Sequence, residues 1–371
     1  MMKEISVIMS PDESKTVFVY RKPPISKIDS QNRDTYVVIS FDSEGDKLAE
    51  FEYTMPVNEN KIGLYDFGIT NSGQLFYLAL KHNETDDKSD TPGYKTSVTL
   101  LSSNGAEQRE IEFSMQDKWI RSTSLLLEDD LLTINGLYAN DKKTAGIVVN
   151  GGYAVTVNLS SGATSSAFNE FPEHSIYTYE KNKKSFFFIN YAHRITKVKM
   201  EEDGICYLLS LNYDISSEKK IKHSAQSFIL LKIDYAGNFI FSHRVNRKFV
   251  DEGKQVRYNV YVSKFQNAYY MFYVTGKQQV DWDIHTPIKK SARIAGEGYT
   301  LVCTKVIPGS GGKTEPLAKK FSNNQVPKLS SFYNDGKGNV YMFLGNKRDE
   351  SRISLKPVVF STKLKLGIYT M

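Results

Sequence analysis

The sequence predicts an all-β fold, and three observations carry that expectation. Aromatic residues make up 12% of the 371-residue chain, with 23 Tyr and 21 Phe, and such side chains suit a pleated, half-buried surface. Apolar residues alternate with polar ones along most of the chain, while helical periodicity is nearly absent. Two kinds of hairpin also alternate strictly along the chain, six of each.

The first kind joins a small polar turn to an aromatic-rich strand. Its members are VIMSPDESKTVFVY, FGITNSGQLFYLAL, LLLEDDLLTINGLY, VKMEEDGICYLLSL, YVSKFQNAYYMFYV and SFYNDGKGNVYMFL. Their turns centre near Asp12, Ser72, Asp130, Asp203, Gln266 and Lys337, a spacing of roughly sixty to seventy residues. The second kind comprises VVISFDSEGDKLAEFEY, VTLLSSNGAEQREIEF, VTVNLSSGATSSAF, LLKIDYAGNFIFSHRV, LVCTKVIPGSGGKTEPLAKKF and, less clearly, VVFSTKLKLGIYTM. Asx and Gly at these turns are needed because tight hairpins demand positive φ at one or two positions.

One hairpin of each kind makes a four-stranded antiparallel meander. Its first and second strands (A, B) and its third and fourth (C, D) are joined by short turns, and B and C by a longer loop. A single meander cannot bury both faces. Packing such units face to face around an axis buries them and shields the edges. The expected fold is a β-propeller of six four-stranded antiparallel blades, with a seventh only if a piece of the chain is missing. The blades fall near 3–58, 62–116, 119–171, 193–248, 256–322 and 328–371, in a single domain over 1–371. Residues 172–192 read as an insertion. The best helical candidate, Lys118–Leu127, reads equally well as a strand.

Two stretches resemble known propeller repeats. SPDESKTVFVY is similar to the S-P-D-G-K strand-turn-strand of many bacterial propellers, and DYAGNFIFSHRV resembles D-x-x-G-N-x-x-W repeats. From Phe187 to about Phe272 the chain resembles uncharacterised propeller-like proteins of Bacteroidetes. Those proteins often carry a Trp and an acidic residue where this chain has Phe241 and Ser210-Leu211. The resemblance implies fold and lineage and no activity.

Lys and Arg total 48 against 42 Asp and Glu, a formal charge of +6. The charges are dispersed, which argues against a nucleic-acid partner. No run approaches the length of a membrane span. The N-terminus offers only Ile5–Met9 before Ser-Pro-Asp, too short for a signal-peptide core. The compartment is therefore open: cytoplasmic, or envelope or periplasm if a leader has been removed. Cys206 and Cys303 lack metal or disulfide spacing and read as buried free thiols.

Candidate chemistry is sparse. PGSGGKT (Pro308–Thr314) fails as a phosphate loop, because Ile307 stands where the first Gly is needed and Glu315-Pro316 precludes the following helix. Asp281, Asp283 and His285 alternate in DWDIH and would share one side of an extended strand, as a divalent-metal site would require. No nucleophile elbow is legible, and no cofactor is called for.

The positional argument is stronger. A residue stands at the entry of each A strand, at one mouth of the expected channel. These positions are Lys3, Gly63, Arg121, Arg194, Arg257 and Lys328, with His193 beside Arg194. All but Gly63 are basic. Such a ring would focus a field favouring an anionic group. The same face receives the long connections Arg21–Thr35, Lys81–Thr96, Asp214–Gln226, Gly276–Tyr299 and Gly345–Lys356. Long loops on one rim of a rigid scaffold are where binding resides. The expectation is a monomeric, non-catalytic propeller binding a protein, glycan or anionic ligand there. The alternative is a propeller glycoside hydrolase or lyase acting on an acidic polysaccharide, for which Asp66 is the acid nearest an A-strand entry.

Overall fold

A computed structural model of the protein describes residues 5–23, 32–58, 62–82, 94–102, 105–140, 149–172, 193–217, 220–251, 260–276, 292–293, 299–309, 311–316, 325–334, 339–346 and 353–361. The fold is all-β, built from successive antiparallel meanders, most of them four-stranded. The first sheet holds β1 (Ile5–Met9), β2 (Lys15–Arg21), β3 (Thr35–Asp42) and β4 (Lys47–Thr54) in that order. The second holds β5 (Ile62–Ile69), β6 (Leu75–His82), β7 (Tyr94–Leu101) and β8 (Glu107–Phe113). The third holds β9 (Trp119–Glu128), β10 (Leu131–Ala139), β11 (Gly151–Asn158) and β12 (Thr164–Glu170).

The fourth sheet holds β13 (His193–Glu201), β14 (Gly204–Ser217), β15 (Lys220–Ile233) and β16 (Phe239–Asp251), with β19 (Ala292–Arg293) added parallel to β16. The fifth holds β17 (Tyr261–Phe265), β18 (Ala268–Gly276), β20 (Tyr299–Ile307) and β21 (Gly311–Pro316). The sixth, among the described residues, holds β22 (Gln325–Asn334), β23 (Asn339–Asn346) and β24 (Ile353–Ser361). No helix among the described residues is long and apolar enough to cross a membrane.

Residues 118–127, which read equally well as helix or strand, lie mainly in β9. Two expectations need correction. The loop expected over Asp214–Gln226 is mostly strand, because β14 and β15 run on as a 14-residue pair. The connection Gly276–Tyr299 is not free of the preceding sheet, since it places Ala292 and Arg293 beside Phe249 and Val250 of β16. The glycine-rich Pro308–Thr314 is the expected strand connection, from the end of β20 into β21. Cys206 and Cys303 are free and buried in β14 and β20. Of the expected insertion 172–192, residues 173–192 lie outside the described residues.

The chain forms two compact units, Met1–Phe171 with Ile233–Phe239, and Pro172–Lys232 with Ile240–Met371. In the first, Val17, Val19, Val38, Tyr53, Phe67 and Tyr77 form one core. Phe76, Leu78, Val98, Leu132, Tyr153 and Val155 form another. β6 supplies both, with Tyr77 in one and Phe76 and Leu78 in the other. A strand buried on both faces reads as a continuous apolar run, and LFYLAL is such a run. Tyr53, Tyr77 and Glu107 link the first two sheets. The two phenols lie 2.8 Å apart and both donate to the Glu107 carboxylate. Burial pushes the Tyr77 phenol up to about 12, so it stays protonated.

Three of the C–D turns share one device. Asp42 Oδ1 accepts the amides of Glu44 and Asp46, Ser102 Oγ accepts that of Ala106, and Asp234 Oδ1 accepts those of Ala236 and Asn238. Three residues on, Gly45, Gly105 and Gly237 take left-handed φ of 91°, 84° and 82°. Thr70 and Gly73 repeat the device in an A–B turn, where Thr70 Oγ1 accepts the Gln74 amide and Gly73 has φ 88°.

The turn at Asp234–Asn238 does more than reverse the chain. The side-chain amides of Asn135 and Asn169 donate to the carbonyls of Tyr235 and Ala236. A Cβ on Gly237 would stand 2.9 Å from Tyr153 backbone and 3.0 Å from Gly152. Gly45 has the same φ sign and open space around it. Gly45→Ala should therefore cost about 1 kcal/mol from backbone strain alone. Gly237→Ala adds a clash and should cost about 3 kcal/mol. Denaturant midpoints of the two variants check this, and equal losses would show that the close approach carries no weight.

The second unit has a charged core element. Glu201 is 4% exposed, and one of its oxygens, Oε2, accepts from Lys232 Nζ at 3.0 Å, Lys264 Nζ at 3.0 Å and Tyr269 OH at 2.5 Å. Asp203 takes a second bond from Lys232 at 2.6 Å. Burial pushes the Glu201 carboxyl up, but the three donors outweigh it and hold the group below its ordinary value of 4.5. Burial likewise opposes the charge on Lys264, and Glu201 overrides it and raises that group. As pH falls the unfolded chain takes up a proton before the folded Glu201 does. The carboxylate's stabilisation is therefore complete above pH 4.5 and is lost as pH falls through the lower folded value. Glu201→Gln should cost about 3 kcal/mol at neutral pH, because it leaves buried ammonium groups unpaired. Measured from pH 7 downward, the gap between the two proteins should shrink only in the acid range; a gap independent of pH would refute the ionic assignment.

Candidate functional site on the long-connection end

The B–C and D–A connections emerge at the same ends of the sheets, opposite the short turns. One stretch there is fully described. The connection from β8 to β9, Ser114–Lys118, holds two successive left-handed residues, Gln116 at φ 47° and Asp117 at φ 59°. The Lys118 amide closes the turn on the Met115 carbonyl at 2.9 Å. Asn-Gly is the preferred pair for two successive left-handed positions in a tight turn, so Gln-Asp carries strain.

The surroundings hold the strain in place. Met115 is buried in the core between the second and third sheets. The Tyr94 hydroxyl donates to the Lys118 carbonyl and accepts the Ile120 amide at 3.1 Å. Burial pushes this phenol up to about 12. Lys118 Nζ donates to Asn140 Oδ1 at 2.9 Å, and Gln116 Nε2 donates to Ser166 Oγ at 3.4 Å. Tyr94 meets Trp119 edge to face, with centroids 6.1 Å apart.

The strained turn borders a cavity of about 340 Å³. Its lining includes Tyr94, Lys95, Glu112, Ser114, Gln116 and Asp117. Lys95 and Glu112, both in its lining and both exposed, pair at 3.1 Å. An aromatic wall, an ammonium, an amide, a hydroxyl and two carboxylates thus meet at one opening. Such a set offers donors and acceptors in alternation to a ligand with many hydroxyl groups. Backbone strain concentrates at functional sites, and here it is observed directly.

The basic positions read from the sequence fare differently. Arg121 is half-buried in β9. Pairing passes from Ser122 opposite Leu137 to Ile120 opposite Tyr138, so Arg121 is the extra residue of a β-bulge. Bulges re-aim side chains and recur beside functional sites. β5 and β13 bulge similarly near their starts, at Tyr65 and Thr196. His193 and Arg194 open β13 opposite Leu211 and Ser210. Lys328 lies in β22 opposite Phe343. Arg121 belongs to the first unit, and His193, Arg194 and Lys328 to the second. Lys3, Arg257 and the metal candidates Asp281, Asp283 and His285 lie outside the described residues. Asp66 is exposed in β5, and its Oδ1 accepts the Phe67 amide.

Sequence reasoning missed the Ser114–Lys118 turn. Asp tolerates positive φ but Gln does not announce it, so the local signal was weak. The other trace was the shortness of this connection among longer ones.

No protein-family model matches the chain, and a comparison with curated proteins finds no match. Solved structures give distant likenesses. A cobalt-substituted apocarotenoid oxygenase (ACO) of Synechocystis aligns over 94% of this chain and 60% of its own, at 9% identity and TM-score 0.34. An ACO/RPE65 chimera aligns over 95% and 61%, at 9% identity and TM-score 0.34. The polysaccharide lyase Uly1 aligns over 93% and 74%, at 9% identity and TM-score 0.35. The chain spans about three fifths of the length of the oxygenase structures. At these scores the likeness carries nothing to this chain's chemistry.

Asp117→Gly should relieve the second left-handed position and stabilise the protein by about 1 kcal/mol. A thermal melt against the native protein tests this. A lower melting temperature would show that the Asp117 side chain holds the turn.

Proposed function

We propose that this chain, read over 1–371 as a single propeller of six blades, binds a glycan at the long-connection end of its sheets. The observation that supports the reading is the cavity beside the strained Gln116-Asp117 turn. Its aromatic wall and its mixture of ammonium, amide, hydroxyl and carboxylate groups suit a sugar ring better than an apolar ligand. Arg121 and the basic entries Lys3, His193, Arg194, Arg257 and Lys328 favour a glycan that carries carboxylate or sulfate groups. The lineage suggested by the Bacteroidetes-like stretch belongs to the same proposal.

A specific observation also keeps an enzyme reading. Glu112 and Asp117 line one cavity, and glycoside hydrolysis needs two carboxylates. Titration with neutral and uronic-acid oligosaccharides, with product analysis on the same samples, separates the two. Binding without product, weakened about tenfold in Gln116→Ala, supports a binding protein. Product formation abolished by Glu112→Gln and by Asp117→Asn supports a hydrolase or lyase. Unchanged affinity in all three variants would remove the site from either reading.

A further inference from the structure

The second unit holds a cleft of about 240 Å³, remote in sequence from the Ser114–Lys118 turn. Its lining includes Lys199, Cys206, Leu208, Leu230, Val262 and Lys264, with Glu201 and Tyr269 at its ionic end. β13 borders it with an inverted pattern. The apolar residues Val198 and Met200 are 43% and 38% exposed, while Glu201, on the alternate side, is 4% exposed. A strand that buries a carboxylate while it leaves Val198 and Met200 exposed gives up burial energy. Departures of this kind from the rule mark functional or strained positions.

The charges in the cleft do not cancel. Glu201 and Asp203 face Lys232 and Lys264, and each carboxylate is engaged by ammonium groups. Lys199 is exposed at the rim and adds a third ammonium. Three ammonium groups against two carboxylates leave one positive charge. The remaining walls are apolar: Leu208, Leu230 and Val262 with the Cys206 thiol. Lys264 keeps 30% of its side chain exposed and lines the opening, so it has access to a ligand while it holds Glu201.

We propose that this cleft binds a small organic carboxylate, its apolar body against Leu208, Leu230 and Val262 and its charged end at Lys199 and Lys264. Glu201 serves as the positioning residue that holds the Lys264 ammonium at the opening. Burial pushes the Cys206 thiol up to about 12, so the cleft holds its ligand non-covalently. The site stands independently of the glycan reading, because it lies in the other unit and takes a different chemical class.

The test uses hexanoate, with hexanol and hexylammonium as controls, titrated calorimetrically into the full chain. Hexanoate should bind and raise the melting temperature, with both controls much weaker. Lys199→Gln changes an exposed residue and should leave the fold intact while weakening hexanoate about tenfold. Val262→Trp should fill the cleft and abolish binding. If that variant fails to fold, Lys199→Gln and the hexanol control still decide. Equal affinity for hexanol, no heat with hexanoate, or unchanged affinity in Lys199→Gln would overturn the proposal.

Discussion

Register depends on the turns, and everything else depends on register. An oxygen at the first turn position captures amides two and four residues on, as Asp42 and Asp234 do. A left-handed residue three places on completes the reversal. Slipping either strand by one residue would exchange its buried and exposed sides. Val17 and Val19 would then leave the core that they share with Tyr77. Each turn is local and inexpensive, yet it decides which side of its strands meets the next sheet.

Burial between sheets then forces the polar exceptions to be paired. Tyr77 and Tyr53 reach the first unit's interior only because Glu107 accepts their hydroxyls. Glu201 reaches the second unit's interior only because two ammonium groups and Tyr269 donate to it. In both places a phenol keeps its proton and a carboxylate receives it as a hydrogen bond. Buried groups arranged in this way hold the sheets together.

The candidate sites follow a different rule from the scaffold. At Gln116-Asp117 the backbone takes a form that its residues resist, and at β13 the strand buries Glu201 while Val198 and Met200 stay exposed. The first carries strain and the second forgoes apolar burial, and each borders a cavity. The fourth sheet departs too, since β14, β15 and β16 run on well past the length of their counterparts. The loop expected there is instead mostly strand.

The strands, the two turn kinds and their alternation were legible because each is a local property. Period-two burial and positive-φ residues are written within a few positions of one another. That is why LLKIDYAGNFIFSHRV could be read as a C–D hairpin from its Asp and Gly, its alternating flanks and its place among the repeats. Only the tertiary structure decided that Gly237 also lies against the backbone of Gly152 and Tyr153. It alone brought Lys232, Lys264 and Tyr269 onto Glu201, and strained the Ser114–Lys118 connection around a cavity. These features join residues far apart in the chain. Their energies come from close approach and desolvation, which no single stretch of sequence contains.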